Sequence, residues 1–333
     1  MTLAVAAGCS SGTAKHTATA KRSETRTTTT AARAHATTTT TPAPAGYAVG
    51  KRTETFVDTT RATPRNGTYP GAPSRTLSTT IYYPATGDPS EPAAAGAPVD
   101  RRGAPYPLVL FSHGVGARAL FYEGLLRQWV RAGYVVAAPD YPLSNTQSPG
   151  GSTIRDVQHQ PADASFVIDR VLALDAADGG LGGIVDPNRI GAAGHSLGAV
   201  TTFGLSYSEC CADARIKAAI PMSGVAVLGT SEFFRTHHAP LLLLHGDADE
   251  TVPYQGSVDA YAKASAPKYF VTILGGGHSP PFLGLDQQPA TLVVDGATLD
   301  FLDAYLKGRT SELARLRTDA QVPGVSTLQE TTG

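Results

Sequence analysis

The sequence has few of the residues that would place it in a specialised class of protein. Only three cysteines occur among 333 residues, which excludes a disulfide-rich scaffold, and no Cys/His spacing indicates a zinc site. No apolar run reaches about 18 residues, which argues against a membrane-spanning helix. The net charge of -1 offers little attraction to a polyanion, and no aromatics interleave with the basic N-terminal stretch. We therefore expect no nucleic-acid partner.

The N-terminus carries a feature of exported proteins. A short apolar run leads to small residues and then to Cys9, followed by Ser-Ser-Gly. This resembles the lipobox of bacterial lipoproteins, which makes Cys9 a lipidation candidate and predicts a cell-envelope lipoprotein or a secreted protein, with membrane attachment through the lipid. No basic region precedes the run, and the run is short for a signal peptide; a start codon assigned too far downstream would explain both. The alternative is an ordinary unstructured N-terminus.

Composition predicts four segments along the chain. Residues 1–9 form the signal-like segment, and residues 10–48, rich in Thr and Ala with almost no large apolar side chain, read as a disordered stalk. Residues 49–315 form the folded domain, and residues 316–333 a C-terminal tail. The adjacent Cys210 and Cys211 either form a vicinal disulfide or remain thiols, and we expect them to serve packing or as a local staple.

The pattern of apolar residues predicts an α/β fold. Residues 53–59 and 77–83 alternate in the manner of antiparallel strands. From residue 107 onward, short apolar runs alternate with helical stretches, which is typical of a mostly parallel central sheet with helices on both faces. Only about 17 residues separate the runs that end near Met222 and begin near Pro240. That is too short for a large cap domain, so we expect an open site, with residues 140–160 forming one wall.

The most specific motif is the pentapeptide at residues 194–198, Gly-His-Ser-Leu-Gly, between an apolar run and a helix-forming stretch. It is typical of a sharp strand-to-helix turn that exposes the Ser196 hydroxyl above a parallel sheet. The amide of Leu197, at the start of the helix, and that of Val115, in the loop after an earlier strand, could then stabilise negative charge on a substrate oxygen. His113 and His195 are interpreted as structural supports of the loop and of the turn.

A serine nucleophile needs a base and an acid, and the chain offers both at later strand ends. A serine hydroxyl reacts at neutral pH only if an imidazole accepts its proton, and a carboxylate orients that imidazole. Ser196, Asp249 and His278 follow one another in the order typical of this fold class, and His278 is the only histidine after Asp249. Asp247 and Glu250 are also within reach. We favour Asp249 as the acid, with Asp247 as the second choice.

With these residues in place, residues from about 50 to 310 resemble the α/β-hydrolase superfamily. Within it the chain is most similar to the branch of dienelactone-hydrolase-like, platelet-activating-factor acetylhydrolase-like and chlorophyllase- or cutinase-like bacterial esterases. Dienelactone hydrolases carry cysteine in place of Ser196, and animal platelet-activating-factor acetylhydrolases carry the acid where residues 221–224 have no carboxylate. The segments that carry the resemblance are residues 111–116, 134–140, 160–166, 194–198, 245–253 and 277–278.

The resemblance implies a Ser-Asp-His mechanism with an acyl-enzyme intermediate, no cofactor and no metal. Carried over, Ser196 is the nucleophile, His278 the base and Asp249 the acid, while Val115 and Leu197 supply the oxyanion amides. We expect a serine hydrolase that cleaves short- to medium-chain or polyester-type carboxylic esters. The alternatives are an envelope acyltransferase using the same residues and a catalytically silent surface-binding module.

Partner expectations follow from the same interpretation. The substrate would be a small-molecule, lipid or polymer ester, and we expect a monomer. Aromatic residues near the predicted mouth are candidates for contact with the acyl or aryl group, although about half should belong to the core. These candidates are Phe121, Tyr122, Tyr254 and Phe282.

Overall fold

The computed structural model describes residues 46–177 and 181–333. The signal-like segment, the lipidation candidate Cys9 and nearly all of the predicted stalk lie outside the described residues. The described residues belong to one compact unit. No helix within the described ranges is both long enough and apolar enough to cross a membrane.

The described residues form one ten-stranded sheet with the strand order β10-β9-β8-β7-β6-β4-β5-β2-β1-β3. The six strands from β9 to β5 are parallel to their neighbours, whereas β2 pairs antiparallel with both β5 and β1, and β10 antiparallel with β9. The strands are β1 (Ala48–Asp58), β2 (Arg75–Ala85), β3 (Ala94–Ala95), β4 (Tyr106–Ser112), β5 (Val135–Asp140), β6 (Val185–His195), β7 (Ile216–Met222), β8 (Leu241–Gly246), β9 (Lys268–Ile273) and β10 (Ser326–Thr331).

Helices cover both faces of the sheet, as the sequence predicts. Helices α1, α5 and α6 pack in the hydrophobic core on one face, and α2, α3 and α4 pack in the cores on the other. The helices are α1 (Glu123–Arg131), α2 (Gln160–Ala176), α3 (Leu197–Tyr207), α4 (Gln255–Lys263), α5 (Pro289–Leu306) and α6 (Glu312–Asp319).

Strand β4 shows why its sequence is a continuous apolar run. Side chains alternate between the two faces of a strand, so a strand covered on both faces needs apolar residues at every position. Val109 and Phe111 pack with α1 and α5, whereas Leu108 and Leu110 pack with α2. All four side chains are buried, which anchors the loop that follows β4 beside the nucleophile turn.

The structure moves both predicted limits of the folded domain outward. Strand β1 begins at Ala48, and the Tyr47 amide already donates to the Arg131 carbonyl, so the last residues assigned to the stalk belong to the domain. Residues 316–333, predicted as a tail, contain the end of α6 and the edge strand β10. The prediction missed β10 because an exposed edge strand has too few apolar residues to mark it.

The connection between β7 and β8 contains no helix, so no cap domain is inserted there, in agreement with its length. Cys210 and Cys211 are joined by a disulfide at the end of α3, which decides between the two states left open by the sequence. Cys211 packs against the small apolar cluster that includes Leu197. The disulfide therefore supports the start of the same helix that follows Ser196.

A buried ion-pair network fixes the long connection after β5. The Arg75 guanidinium, fully buried on β2, donates to Asp163 at 2.7 Å and to Asp156 at 2.9 Å. The other oxygen of Asp156 accepts the Leu143 amide at 3.0 Å. Because a buried charge is stable only when paired, this network holds residues 141–158 against the sheet.

Candidate active site

The turn between β6 and α3 has the geometry that the pentapeptide predicts. Ser196 has φ 58° and ψ -119°, a left-handed conformation that is costly for a residue with a side chain. A Cβ atom at Gly194 would collide with the backbone of Gly198, and one at Gly198 would collide with the backbone of Ser112. Only glycine fits at both positions, and the strained turn projects the Ser196 hydroxyl from the carboxyl edge of the sheet.

The structure brings Ser196, His278 and Asp249 together, although 82 and 29 residues separate the bonded pairs. Nδ1 of His278 lies 2.7 Å from Oδ2 of Asp249, and Nε2 lies 2.9 Å from Oγ of Ser196. Because an ionised carboxylate can only accept, Nδ1 carries the proton and donates it. In the neutral ring Nε2 is then free to accept the Ser196 hydroxyl proton, which is the arrangement that a nucleophilic serine requires.

Asp249 is buried at the end of β8 and receives four hydrogen bonds. Besides His278, its donors are the amides of Thr251 at 2.8 Å and Val252 at 2.9 Å, and the Nε2 atom of His245 at 3.1 Å. Burial alone would raise the pKa of Asp249, but the bonds from His278 and the two amides outweigh it and hold the pKa below its usual value. The carboxylate therefore stays ionised beside His278.

His245 lies in the segment 245–253, for which the sequence predicts no role other than that of Asp249. Its Nε2 atom faces two acceptors, Asp249 and the Val252 carbonyl at 3.1 Å, so Nε2 carries the proton, and Nδ1 accepts the Ser257 hydroxyl at 2.7 Å. Burial lowers the pKa of His245, which keeps the ring neutral. A second imidazole thus orients the Asp249 carboxylate from behind. The sequence signal that could have predicted this role is a histidine at the end of a strand, four residues before Asp249.

Asp247, the second choice for the acid, is placed elsewhere. Its Oδ1 atom accepts the Gly275 amide at 2.6 Å and thereby links the loops after β8 and β9. No contact joins it to His278 among the recorded hydrogen bonds and ion pairs of the described residues. The geometry therefore favours Asp249 over Asp247.

Two backbone amides border the Ser196 hydroxyl. Leu197 is the first residue of α3, and the first amides of a helix have no partner within it. Val115 follows Gly114, whose position directly adjoins the Ser196 side chain. Within residues 46–177 and 181–333 the Val115 amide has no hydrogen-bond acceptor. Both amides are available to an oxygen atom bound next to Ser196.

His113 and His195 are both buried, and both form hydrogen bonds that support the site loops. His113 accepts the Tyr141 amide at Nε2 and, through Nδ1, donates to the Gly114 carbonyl at 2.7 Å. His195 donates from Nε2 to the His278 carbonyl at 2.7 Å and accepts the Tyr122 hydroxyl at Nδ1. Burial lowers the pKa of His195 to about 3, so the ring remains neutral in these bonds.

A cavity of about 270 Å³ opens beside Ser196 and His278. Phe121, 46% exposed, lines it together with Val115 and Leu283. Tyr122 also borders the cavity, but it is buried and its hydroxyl is engaged by His195 and the Gly114 amide.

The other two aromatic candidates do not line this cavity. Phe282 is fully buried and stacks on His195 at 5.2 Å between ring centroids. Tyr254 stacks on Phe270 and bonds to Thr272 at 2.6 Å. Of the four candidates only Phe121 is exposed at the mouth, because the others are needed to pack the loops that form it.

Comparison with known proteins agrees with this fold. The chlorophyllase family model matches residues 83–245, a region that contains Ser196 and ends before Asp249. Two uncharacterized proteins from two strains of Mycobacterium tuberculosis are each 30% identical over 117 residues, which cover 30% of this chain and 41% of each relative. The chain thus matches less than half the length of these curated relatives.

A solved structure extends the similarity to most of the domain. The ferulic acid esterase from Streptomyces cinnamoneus superimposes with a TM-score of 0.65 and 24% sequence identity, covering 85% of this chain and 97% of that chain. At this identity the likeness concerns the fold. Together with the parallel sheet and the strained serine turn, it shows an α/β-hydrolase-like fold, and the chain is similar to the chlorophyllase family over residues 83–245.

Proposed function

We propose that this protein is a serine hydrolase that cleaves carboxylic esters through an acyl-enzyme intermediate. The observation that carries the proposal is the continuous chain of hydrogen bonds from Asp249 through His278 to the Ser196 hydroxyl. The similarity to the chlorophyllase family and to a ferulic acid esterase supports ester hydrolysis as the reaction. We propose short- to medium-chain or polyester-type esters as substrates, because the cavity beside Ser196 is small and carries no cap.

In the first half of the reaction, Nε2 of His278 accepts the Ser196 proton as Oγ attacks the ester carbonyl carbon. The carbonyl oxygen becomes an oxyanion that the Val115 and Leu197 amides stabilise; one such donor is worth about 3 kcal/mol in the transition state. Asp249 stabilises the imidazolium that forms. The bond to the alcohol oxygen then breaks, and His278 protonates the leaving alcohol.

In the second half, water replaces the alcohol. His278 accepts a proton from the water as the hydroxide attacks the acyl carbon, and the same amides stabilise the second oxyanion. The bond to Ser196 breaks, the proton returns to Oγ, and the carboxylic acid leaves. In this proposal His278 carries every proton, which requires the ring to be held at both nitrogens; the bonds of Nδ1 to Asp249 and of Nε2 to Ser196 support this.

The experiment is hydrolysis of nitrophenyl acetate and nitrophenyl butyrate, together with labelling by a fluorophosphonate probe. We expect the wild type to hydrolyse both esters and to be labelled, and Ser196→Ala to lose labelling and at least about 10³-fold in kcat. The control is Ser279→Ala, which removes a hydroxyl that lines the same cavity. Within the described residues this hydroxyl forms no hydrogen bond with the side chain of His278 or Ser196. A wild-type rate equal to that of Ser196→Ala, with no labelling, would refute the proposal in favour of a silent binding module. Product analysis with an added alcohol separates hydrolysis from acyl transfer.

We further propose that the protein is exported and that Cys9 carries a lipid, on the strength of the N-terminal sequence alone. Labelling of the full chain with a fatty-acid analogue in a bacterial host, with Cys9→Ala as the control, tests this. Equal labelling of the two proteins would contradict it.

A further inference from the structure

A second cavity, of about 300 Å³, lies on the other side of the loop that carries Val115. Val115 and Ala117 line the cavity beside Ser196, whereas Arg118 lines the second cavity. The Gly116 amide donates to the Ser144 carbonyl at 2.7 Å and Ala117 pairs with Asn145, so this short segment forms a common wall. The two cavities therefore adjoin on either side of this segment, one of them containing Ser196.

The second cavity is lined by hydroxyl groups. Thr76 and Ser78 lie two residues apart near the start of β2, which places them on one face of the sheet, and Ser74 directly precedes the strand and lines the same cavity. Tyr69 adds a phenol hydroxyl and part of an aromatic ring. Across the described ranges these four hydroxyls make no hydrogen bond with a protein atom, so all of them are available to a ligand.

The two charged side chains that line the second cavity form an ion pair and neutralise each other's charge. Arg118 donates to Asp140 from Nε at 2.8 Å and from Nη2 at 2.7 Å. The second oxygen of Asp140 accepts the Ala119 amide at 3.2 Å. Because the pair has no net charge, the cavity presents polar atoms without the cationic field that an anionic ligand would need.

The two sides of the cavity are tied together, so its shape is preformed. Asn66, in the turn that carries Tyr69, donates from Nδ2 to the carbonyls of Pro149 at 2.8 Å and Gly151 at 2.6 Å. The buried Arg75 holds the segment from residue 141 to 158 against β2 through Asp156. A preformed site loses little free energy on binding, which favours a ligand held only by neutral hydrogen bonds.

We propose that the second cavity binds the alcohol part of the ester, and that this part is a neutral polyhydroxylated ring of the size of a monosaccharide. The inference rests on the proposed ester hydrolysis. The apolar wall formed by Val115, Phe121 and Leu283 suits the acyl group, and the hydroxyl-lined cavity suits the alcohol that leaves. Tyr69 offers a flat surface for one face of the ring, and Ser74, Thr76 and Ser78 exchange hydrogen bonds with its hydroxyls.

The test compares two butyrate esters with leaving groups of the same shape, methyl 6-O-butyryl-glucopyranoside and cyclohexylmethyl butyrate, with nitrophenyl butyrate as the reference. The enzymes are the wild type, the double variant Thr76→Val with Ser78→Ala, and Thr80→Val. Thr80 continues the same face of β2 but does not line the cavity, so it is the matched control.

We expect the wild type to prefer the sugar ester in kcat/KM by about tenfold, since each hydrogen bond contributes a factor of about 2 to 10. The double variant should lose most of this preference, so that its kcat/KM on the sugar ester approaches that on cyclohexylmethyl butyrate. Thr80→Val should retain the preference. A wild-type ratio near one, or an undiminished ratio in the double variant, would overturn the inference and leave the proposed function standing if nitrophenyl butyrate is hydrolysed. A wild type that hydrolyses no ester overturns both.

Discussion

His195 donates a hydrogen bond from Nε2 to the backbone carbonyl of His278 at 2.7 Å, and the two rings lie 4.8 Å apart between centroids. His195, which directly precedes Ser196 in the turn, thus holds the loop that carries His278. Through Nδ1 it also binds Tyr122, whose hydroxyl accepts the Gly114 amide at 3.2 Å. One neutral imidazole therefore links the turn of Ser196, the loop of His278 and the loop that carries Gly114 and Val115.

Replacing His195 by Phe should keep the ring packing and remove both hydrogen bonds. We expect kcat for nitrophenyl butyrate to fall about 10²-fold, because a displacement of about 1 Å between reacting groups costs that much. Tyr122→Phe also removes the acceptor of the Gly114 amide but leaves the bond from His195 to His278 in place, and should therefore cost less. Steady-state kinetics measure both, with circular dichroism to check folding. A His195→Phe enzyme of wild-type kcat would show that His278 is held in place without this bond.

The acid can be identified by comparing two aspartates of the same loop. Asp249→Asn should lower kcat by about 10⁴-fold, because the amide cannot orient the imidazole in the required tautomer. Asp247→Asn should remain within about tenfold of the wild type, since within the described ranges the Asp247 carboxylate bonds to the Gly275 amide and not to His278. The kinetics of the two purified variants on one ester provide the measurement. The reverse order of effects would move the acid to Asp247.

The buried Arg75 network should dominate the stability of the segment after β5. Arg75→Met removes the buried cation from Asp156 and leaves Asp163 to the partly exposed Arg61 at 2.8 Å, which we expect to lower the free energy of unfolding by about 3–5 kcal/mol and Tm by about 10 °C. Arg235 pairs with Glu232 on the surface, where the two side chains are 66% and 62% exposed. Arg235→Met should therefore cost less than about 1 kcal/mol. Thermal unfolding of both variants measures these changes in stability. Equal decreases in Tm would contradict the stabilising role assigned to the Arg75 network.

The pH dependence of stability should reflect a carboxyl group between α5 and α6. Burial raises the pKa of Asp300 to about 7; Arg315 opposes this, whereas Asp319 and Glu312 add to it. A carboxyl whose pKa is raised on folding stabilises the protein while it is protonated, and this contribution is lost as the pH rises through about 7. The free energy of unfolding should thus decrease as the pH rises from the usual carboxyl value of 3.8 to about 7, and level off above that.

Asp300→Asn should remove the share of this loss that comes from Asp300, whereas Asp295, whose pKa burial also raises to about 7, keeps its own share. At pH about 8 we expect its Tm to exceed that of the wild type by about 2–4 °C or more, corresponding to about 1 kcal/mol or more, and the difference should shrink near pH 5. Asp259→Asn, at an exposed position on α4, is the control and should show no such trend. Scanning calorimetry over this pH range tests the prediction. A variant that is less stable than the wild type at pH 8 would contradict it.

The sequence by itself determined the α/β-hydrolase fold and the identities of the three side chains that meet at the candidate site. Apolar runs with a helical stretch between them have few arrangements other than a parallel sheet, and the glycines at 194 and 198 are needed for one particular turn. Since carboxyl ends of parallel strands share one edge, residues after successive strands had to lie near one another.

Only the tertiary structure decided between Asp249 and Asp247, revealed His245 and His195 as orienting groups, and placed β10 at the sheet edge. It also showed that Tyr254 and Phe282 are packing residues, and that the hydroxyls of β2 face a second cavity. The physical reason is that hydrogen-bond direction, burial and cavity shape depend on distances of a few tenths of an ångström between segments far apart in the chain. Local patterns of residue type carry no information at that scale.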